Sequence, residues 1–550
     1  SAPTTDYSFA KQGEVVLDFG KQVQIAKIWD FLGYQNNPKY VVSYSDDPNQ
    51  GWTDLYTETT PMDAGSVFCW NSNDAIMTTR YVRIASNGDG TQDSVIELVF
   101  TDSDGKMLLP ENADDYKKLF DEQEYFTGRK TYKNGTYFDE IYHARTAYEM
   151  IHHLYCYENT HPPLGKIFIA CGVLIFGMNP FGWRFMGTLF GVLMLPVFYV
   201  FAKKLFKETW LSVVTTILFA FDFMHYVQTR IATIDVFVTF FIILAYFFMY
   251  CYTRKSFYDT KLRDTFIPLG LCGIAMGFSW ACKWTGIYAS AGLCILFFAT
   301  MLQRFREYKY AVKHIGRETE GISHQYIAEN FYKKFFQTIG FCCIFFLVIP
   351  AVIYTLSYIP FSDGTDHGLI QRVIDNAQNM FNYHNSLKST HPFSSKWYEW
   401  PVMKRPIYYY SGETASGLKE GISAFGNPLV WWAGIPAFCM VLYLALMKGS
   451  KKCRFLSIAY LSQYLPWVFI GRVVFIYHYF PSVPFVVLMI GYCMKDMVAK
   501  NPKRKNAMFV YAALAVVLFI MFYPVLTGTP VSGNYVKTYL RWYQSWVLVS

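Results

Sequence analysis

The stretch GWRFMGTLFGVLMLPVFYVFA at residues 182–202 decides the fold, because it carries a single charge, Arg184, over 21 residues. A helix of about 20 mainly apolar residues is long enough to cross the hydrocarbon core of a bilayer. The whole chain is 53% hydrophobic and only 16% charged, whereas about a quarter of the residues in soluble domains are charged. The composition therefore excludes a purely soluble enzyme and a disordered chain, and it predicts a membrane protein.

Similar apolar runs recur on the C-terminal side of this stretch. The sequence predicts ten spans in all: 182–202, 209–225, 230–252, 266–281, 284–302, 335–358, 428–447, 455–470, 473–494 and 507–526. We therefore expect a polytopic α-helical membrane protein with about ten transmembrane helices.

The loops between the runs alternate in charge, which predicts their orientation. Lys and Arg cluster after 202, after 252, at 303–334 (seven of them), at 448–454 and after 494. Loops rich in Lys and Arg stay cytoplasmic, so these five are predicted to lie inside. The alternation works only if the apolar stretch 161–178 does not cross, and we expect it to form an interfacial helix on the outer face. Residues 1–181, 360–427 and 527–550 are then predicted to be extracytoplasmic, in a multi-pass protein of the cell membrane.

The first hundred residues differ from the rest of the chain. They hold thirteen acidic and six basic residues, a net charge of −7, whereas the whole chain is +8. Short β-rich runs at 15–20, 25–28, 40–45, 80–84 and 95–100 are separated by Asn, Asp, Gly and Pro clusters, which is typical of an all-β sandwich. The chain begins at Ser1, not Met, and we expect a signal or a first membrane helix to precede it.

Metal and nucleic-acid sites find no support in the sequence. None of the 12 Cys has zinc-site spacing, and we expect neither a metal nor another cofactor. The basic excess follows the membrane topology, so we expect no nucleic-acid partner.

Charged residues at the predicted outer face are the candidates for a functional site, because charges near lipid are costly without a role. An acidic pair with several cations suits an anionic lipid headgroup and a proton to be removed. The candidates are Asp139, Glu140, His161, Lys166, Arg184, Asp222, Arg230, Asp235, Lys283, Arg472 and His478. Six of them also have a simpler interpretation: Arg184 and Arg230 as snorkelling side chains, Asp222 and Asp235 as helix-end acids, His478 as a packed ring and Asp139 as a loop acid. From these residues alone, a transporter or a receptor remains as plausible as an enzyme.

An ordered series of segments narrows this choice. The series is FDE at 138–140, HPPLGK at 161–166, GWRF at 182–185, VQTRIATIDVFVTFF at 227–241, ACKWTGIY at 281–288, MFNYHNSLKSTHPFSSKWYEWPVMKRPIYYY at 380–410, GNPLVWWAG at 426–434, LPWVFIGRVVFIYHYFPSVPF at 465–485 and FYPVLTGTP at 522–530. Together these segments resemble the protein O-mannosyltransferase family, membrane glycosyltransferases of the GT-C class. Since 360–427 has no room for a β-trefoil insertion, the chain is similar to bacterial members.

The resemblance implies a reaction. The family transfers mannose from a polyprenyl or dolichyl phosphate carrier to Ser or Thr hydroxyls of secreted or membrane proteins, with inversion. Asp139 matches the family's base, with Glu140 beside it. The carrier phosphate implies cations and donors, which we assign to Arg184, Arg230, Lys166, Arg472, His161 and His478, supported by Asp222, Asp235 and Lys283. The aromatic loop 360–427, with His384, His391, Trp397 and Trp400, is expected to face the acceptor or to anchor at the interface.

The acidic head has a resemblance of its own. LDFG at 17–20, VSYSDD at 42–47, Trp52 and TRYVRI at 79–84 are similar to the discoidin or coagulation-factor C-type jelly roll over residues 8–102, which implies a carbohydrate ligand. The expected organisation is a sandwich at 1–105, a first outer loop at 106–181, a membrane core at 182–359, an acceptor-side loop at 360–427 and C-terminal helices with an outer tail at 428–550.

Two alternatives stay open. A GT-C transferase with another lipid-linked sugar, or with a lipid or wall-glycan acceptor, fits the carrier-phosphate residues equally well. A sugar-binding membrane receptor or transporter fits less well, because a transporter predicts two similar halves and none is visible.

Overall fold

The computed structural model describes residues 2–8, 13–34, 39–59, 67–86, 94–316 and 323–550. The chain forms two compact units. Residues 1–152 and 169–186 make up the sheet unit, and residues 153–168 and 187–550 make up the helical unit. Each unit is described by itself.

The sheet unit is built on antiparallel strands. These are β1 Tyr7–Ser8, β2 Glu14–Leu32, β3 Lys39–Ser45, β4 Thr53–Thr59, β5 Cys69–Ser86, β6 Ser94–Val95, β7 Glu97–Thr101 and β8 Met107–Leu108. A six-stranded sheet has the order β4-β3-β5-β2-β7-β8, and β1 pairs with β6 in a second sheet. Alternate residues of β2, among them Val15, Leu17 and Phe19, are buried, as expected for a strand with one face on a core. The all-β prediction for the head is confirmed, and its identity as a discoidin-like jelly roll stays a prediction.

One sequence-based boundary in this sheet is wrong. The runs 15–20 and 25–28 are one long strand, β2, and not two strands. The pairing of β2 with β5 shifts register between Asp18 and Val23, where Gly20 has φ +71°. A Cβ at Gly20 would lie 2.1 Å from the Glu111 carboxyl group. A bulge of this kind bends a strand without ending it, whereas the sequence pattern predicts a break at the same place.

The helices follow the sheet along the chain. They are α1 Glu140–Ile151, α2 Leu164–Phe176, α3 Pro180–Phe206, α4 Thr209–Ala220, α5 Phe223–Gln228, α6 Asp235–Thr253, α7 Leu262–Cys282, α8 Gly286–Lys313, α9 His324–Cys343, α10 Ile349–Leu356, α11 Leu369–Ser386, α12 Pro428–Leu446, α13 Lys451–Tyr464, α14 Val483–Lys500 and α15 Lys505–Thr527. A π turn joins α9 to α10, and 3-10 turns precede α14 and α15.

Eight helices of the described residues are long and apolar enough to cross a membrane: Pro180–Phe206, Asp235–Thr253, Leu262–Cys282, Gly286–Lys313, His324–Leu356, Pro428–Leu446, Ile476–Lys500 and Pro502–Thr527. The multi-pass prediction is confirmed. Of the ten predicted spans, however, only eight are long enough in the described residues to cross a membrane. The predicted span 209–225 is interrupted after Ala220, and 455–470 ends as α13 at Tyr464 before a 3-10 turn. A 12-residue helix is about 18 Å long, too short to cross alone. The 13-residue α2 is also too short, as expected for the stretch 161–178.

The predicted loop 360–427 is structured. It contains the amphipathic helix α11 and an antiparallel hairpin of β9 Ile407–Glu413 and β10 Lys419–Ala424. This hairpin bridges to the C-terminal tail, where Lys419 pairs with Val531. The segment is therefore a folded part of the helical unit and not an open loop.

The basic loops meet at one end of the helical unit. Lys452 Nζ donates to Leu205 O at 2.6 Å and Lys495 Nζ donates to Phe206 O at 2.5 Å, both at the C-terminal end of α3. Lys451 Nζ reaches the Gln303 side chain at 3.2 Å. The clusters after 202, at 303–334, at 448–454 and after 494 therefore share one end. Asp235 begins α6 at the opposite end, and Lys283 lies between α7 and α8, close to the start of α8.

Candidate active site

Asp139 lies at the start of α1 in the sheet unit, directly after a residue in the left-handed region. Phe138 has φ +50°, a conformation that L-residues adopt at a cost of about 1–2 kcal/mol. Asp139 is the N-cap of α1, yet its side chain does not accept a hydrogen bond from the N-terminal N–H groups of that helix. Strain of this kind concentrates at functional sites. The carboxylate of Asp139 is half-buried and is not a helix cap.

Glu140 and Arg184 form a buried bidentate ion pair in the same unit. Arg184 Nε donates to Glu140 Oε1 and Nη2 donates to Oε2, each at 2.7 Å. The guanidinium also donates to Tyr132 O at 2.7 Å and to Gly135 O at 3.1 Å. Glu140 is fully buried and the Arg184 side chain is 15% exposed. Four hydrogen bonds from five N–H groups leave this guanidinium poorly placed to bind a phosphate, contrary to the sequence-based assignment of Arg184. The arrangement fits a positioning role for the segment 132–140.

The sequence explains how Arg184 reaches this place. Asn179 Oδ1 accepts from the N–H groups of Phe181 and Gly182, each at 3.0 Å, so it caps α3, with Pro180 at the first helical position. A Cβ at Gly182 would lie 2.0 Å from Gly177 O. Only glycine permits this approach of the turn to the helix, and it fixes the start of the helix that carries Arg184.

A second group of candidates lies in the helical unit, around HPPLGK. Lys166 is fully buried, and its ammonium donates to the Glu158 carboxylate, to Glu158 O at 2.6 Å and to His161 O at 3.0 Å. These three bonds engage all three N–H groups of the ammonium. The expected phosphate contact by Lys166 is therefore not supported, and the residue instead fastens the loop before α2.

Glu158 is a buried acid of this loop that sequence reasoning did not select. It is buried, it holds Lys166, and its Oε1 lies 2.9 Å from His161 Nδ1. Burial lowers the pKa of His161 although Glu158 opposes that effect. No pattern in CYENTHPP distinguishes this glutamate from a surface acid, because its two partners follow it at irregular spacing.

A second histidine, His384, packs against this loop. His384 Nε2 lies 3.0 Å from Thr160 O, and its ring packs edge-on against His161 with centroids 5.6 Å apart. Burial lowers the pKa of His384 to about 4, and the charges of His161 and Arg472 contribute in the same direction. His384 is therefore neutral at pH 7. It lies on α11, which sequence reasoning assigned to the acceptor side.

Three further predicted cations differ in their partners. Lys283 Nζ donates to Asp235 Oδ1 at 2.8 Å, and both side chains are nearly buried. Arg472 donates to Val473 O at 3.4 Å, and within the described ranges no carboxylate lies within ion-pair distance of it. Arg230 donates to Leu526 O at 3.1 Å above the Tyr226 ring, likewise with no carboxylate partner in the described residues. Arg230 and Arg472 thus keep an uncompensated charge, and Lys283 does not.

Asp222 has a structural environment. It is fully buried, and it accepts from Asn427 N and Trp431 Nε1, each at 3.0 Å, and from His225 N at 3.2 Å as the N-cap of α5. These bonds tie the break after α4 to the start of α12. The simpler reading of Asp222 as a helix-end acid fits this geometry, and a supporting role in catalysis does not.

The aromatic candidates form a stack beside a polar cavity. Trp400 is fully buried, donates to Ser395 O at 3.1 Å and stacks on His478 with centroids 6.2 Å apart. A cavity of about 740 Å³ lies between residues 387–399 and 468–474, and its lining includes Arg472 and the half-buried Trp397. His391 is exposed, and its ring packs edge-on against the Phe475 ring with centroids 5.0 Å apart.

Comparison with known proteins identifies relatives of this chain. The family model described as dolichyl-phosphate-mannose-protein mannosyltransferase matches residues 173–361, and the one described as the C-terminal four TMM region of protein-O-mannosyltransferase matches 369–546. A polyprenol-phosphate-mannose–protein mannosyltransferase of Mycolicibacterium smegmatis is 25% identical, over 74% of this chain and 87% of that protein. The Mycobacterium tuberculosis protein of the same name is 25% identical, over 74% and 86%.

A solved structure shares the fold. The chain matches the structure of the S. cerevisiae protein O-mannosyltransferase Pmt1-Pmt2 complex bound to the sugar donor, with a TM-score of 0.62 and 14% identity, over 75% of this chain and 89% of that chain.

Proposed function

Because this chain belongs to the protein O-mannosyltransferase family and is a membrane mannosyltransferase, we propose that it transfers mannose from a polyprenyl phosphate carrier to Ser or Thr hydroxyls of proteins on the outer face of the membrane. The observation that carries this proposal is the match of both family models, which together extend over residues 173–361 and 369–546. The bacterial relatives, named for the same donor and acceptor, support the choice of substrates.

Asp139 is the proposed base. A Ser or Thr hydroxyl is a weak nucleophile, and a carboxylate near the acceptor takes its proton as the oxygen attacks the anomeric carbon. The bond between that carbon and the phosphate oxygen breaks, and polyprenyl phosphate leaves with inversion of the sugar. The left-handed Phe138 and the Glu140–Arg184 pair support this assignment, because they fix the backbone on both sides of Asp139.

Arg472 and Arg230 are the proposed contacts of the leaving phosphate. Both keep a charge that no carboxylate of the described residues neutralises. Fixed cations placed where negative charge develops stabilise the transition state without reorganisation. His161 and His478 act as uncharged donors. Lys166 and Lys283 hold the surrounding loops through Glu158 and Asp235.

The polar cavity beside Trp397 is the proposed acceptor side. Its lining combines hydroxyl groups, Lys388, Lys396 and Arg472 with the Trp397 ring. Rings next to polar groups are suitable platforms for a peptide or a sugar. For the head at residues 1–105 we propose a carbohydrate ligand carried by the acceptor, which raises the effective concentration of the acceptor.

The test is a transfer assay with the full chain in membranes. Radiolabelled polyprenyl phosphate-mannose is offered with a Ser/Thr-rich peptide and with a matched peptide in which Ala replaces every Ser and Thr. Label in the first peptide alone supports the proposal. Label transferred only from another lipid-linked sugar, or only to lipid or wall glycan, would identify a different transferase of the same fold class.

A further inference from the structure

A second polar cavity lies at the basic end of the helical unit. It has a volume of about 360 Å³ and lies between the C-terminal end of α6, the middle of α8 and the first turns of α13. Arg254, Arg306, Lys451, Lys452 and Arg454 line it. The structure thus brings cations from three separate predicted loops to one place, which the sequence pattern alone did not predict.

The charge of this cavity is uncompensated. None of the lining residues, all of them in the described part of the chain, is acidic. Lys451 and Arg454 donate to neutral groups, the Gln303 amide oxygen at 3.2 Å and Gly449 O at 2.6 Å. Nearby cations outside the cavity do have acids: Arg304 pairs with Glu307 at 2.9 Å, and Lys495 pairs with Glu208 at 3.0 Å.

Like charges crowd one lining residue, Lys452. Burial lowers the pKa of Lys452, and the charges of Lys495 and Arg254 lower it further. An anion in the cavity would relieve this repulsion.

Part of the cavity lining and the surface beside it are apolar. Leu296 and Phe455 form part of the lining. On the neighbouring face of α8, Ile295, Phe298 and Leu302 are 55%, 58% and 49% exposed. These three residues recur at a helical spacing, so they form one continuous apolar stripe along α8. The acyl chains of a lipid can pack against this apolar stripe, whereas a soluble anion cannot.

We propose that this cavity binds the phosphate headgroup of an anionic glycerophospholipid, whose acyl chains lie along the exposed face of α8. Basic pockets between transmembrane helices bind such headgroups. The site is distinct from the proposed donor site, because α6 runs from Asp235 to Thr253, a distance of about 28 Å for 19 residues. The proposal therefore goes beyond the transfer reaction and does not depend on it.

The test measures lipid binding to the purified full chain in detergent by native mass spectrometry. Phosphatidylglycerol is titrated against phosphatidylcholine with the same acyl chains, and inorganic phosphate and glycerol phosphate are added as soluble competitors. A triple variant, Arg254→Gln, Arg306→Gln and Lys451→Gln, removes three exposed cations of the cavity. The matched control, Lys313→Gln, Lys503→Gln and Arg504→Gln, removes three exposed cations that do not line it.

Each basic residue near an anionic lipid strengthens binding about fivefold. The cavity variant should therefore bind phosphatidylglycerol on the order of 100-fold more weakly, while the control stays within about fivefold of the original chain. Phosphatidylcholine should bind weakly to all three proteins. Arg254→Lys with Arg306→Lys, which keeps the charges, should retain binding. If the triple variant fails to fold, Arg306→Gln alone should weaken binding about fivefold.

Equal losses in the cavity and control variants would overturn the proposal, because they would indicate a general charge effect. Unchanged binding in the cavity variant would overturn it too. Displacement of the lipid by millimolar soluble phosphate would show that the cavity is a site for a soluble anion.

Discussion

The buried pair of Glu140 and Arg184 gives the sharpest quantitative prediction. Removing one partner of a buried ion pair leaves an uncompensated charge and costs about 3–5 kcal/mol. Glu140 is fully buried and Arg184 is 15% exposed, so solvent screens neither charge effectively. We therefore expect Glu140→Gln and Arg184→Gln each to lower the free energy of unfolding by about 3–5 kcal/mol. The double variant should lose about as much as one single variant, because the two changes remove the same pair.

The measurement is a double-mutant cycle on the full chain in mixed micelles, with unfolding followed by SDS titration. The transfer assay on the same four proteins adds a second readout. If Arg184 positions Glu140 and the backbone before Asp139, Arg184→Gln lowers kcat and leaves the KM for the lipid donor nearly unchanged. Arg184→Lys should recover little, since an ammonium cannot make the bidentate contact.

Additive losses in the cycle would refute this reasoning, because they would show that the two side chains act separately. A normal stability for Arg184→Gln together with a strongly raised donor KM would show that Arg184 binds the phosphate, as the sequence first suggested.

Three further outcomes are expected. Lys166→Met should destabilise the protein by about 3–5 kcal/mol, since it removes the buried cation that pairs with the Glu158 carboxylate, and Lys166→Met with Glu158→Gln should recover part of that loss in the same SDS titration. The pKa of His384 is about 4 in the folded protein and about 6.5 when unfolded. The unfolded chain therefore binds more protons between these values, and the free energy of unfolding should fall as pH drops from 6.5 towards 4. His384→Gln should flatten that slope in melts at several pH values, and an unchanged slope would contradict the assignment. Arg472→Gln should raise the donor KM or lower kcat by about 10–100-fold in the transfer assay, whereas the exposed Lys404→Gln should not, and equal effects would count against a specific phosphate contact.

Apolar runs of sufficient length predicted most of the membrane-spanning helices. They worked because the bilayer imposes one length on every crossing helix, and eight of the predicted spans meet it in the described residues. They failed where a tertiary contact interrupts an apolar run. Asp222, held by Asn427 and Trp431, ends the helix after Ala220, and neither partner is visible from the local sequence.

Motif resemblance identified the candidate residues but not the contacts that each of them makes. Asp139, Glu140 and Arg184 were all chosen as a group, yet only the structure shows that Glu140 and Arg184 pair with each other. The reason is geometric: 44 positions separate Glu140 from Arg184, and nothing in their spacing signals an ion pair. Glu158 was overlooked for a different reason: its partners His161 and Lys166 lie only three and eight residues away, but their spacing matches no recognisable motif.

In the β-sheet of the head, too, the local sequence did not reveal a contact between distant segments. The β-rich composition of 15–20 and 25–28 correctly predicted β structure, but the bulge at Gly20 joins the two runs into one strand. The local sequence shows a glycine at this position, but it does not distinguish a turn from a bulge. Only the pairing of β2 with β5 shows that the strand bends and continues.

The most direct test of the central claim is the transfer rate of Asp139→Asn beside Asp115→Asn, an exposed acid of the same unit. A general base contributes about 10²–10⁴-fold to a rate. We predict that Asp139→Asn lowers kcat by at least about 100-fold with the donor KM nearly unchanged, while Asp115→Asn behaves like the original chain. If Asp139→Asn instead retains more than about a tenth of the rate, a different group takes the acceptor proton, and Asp139 is not the base.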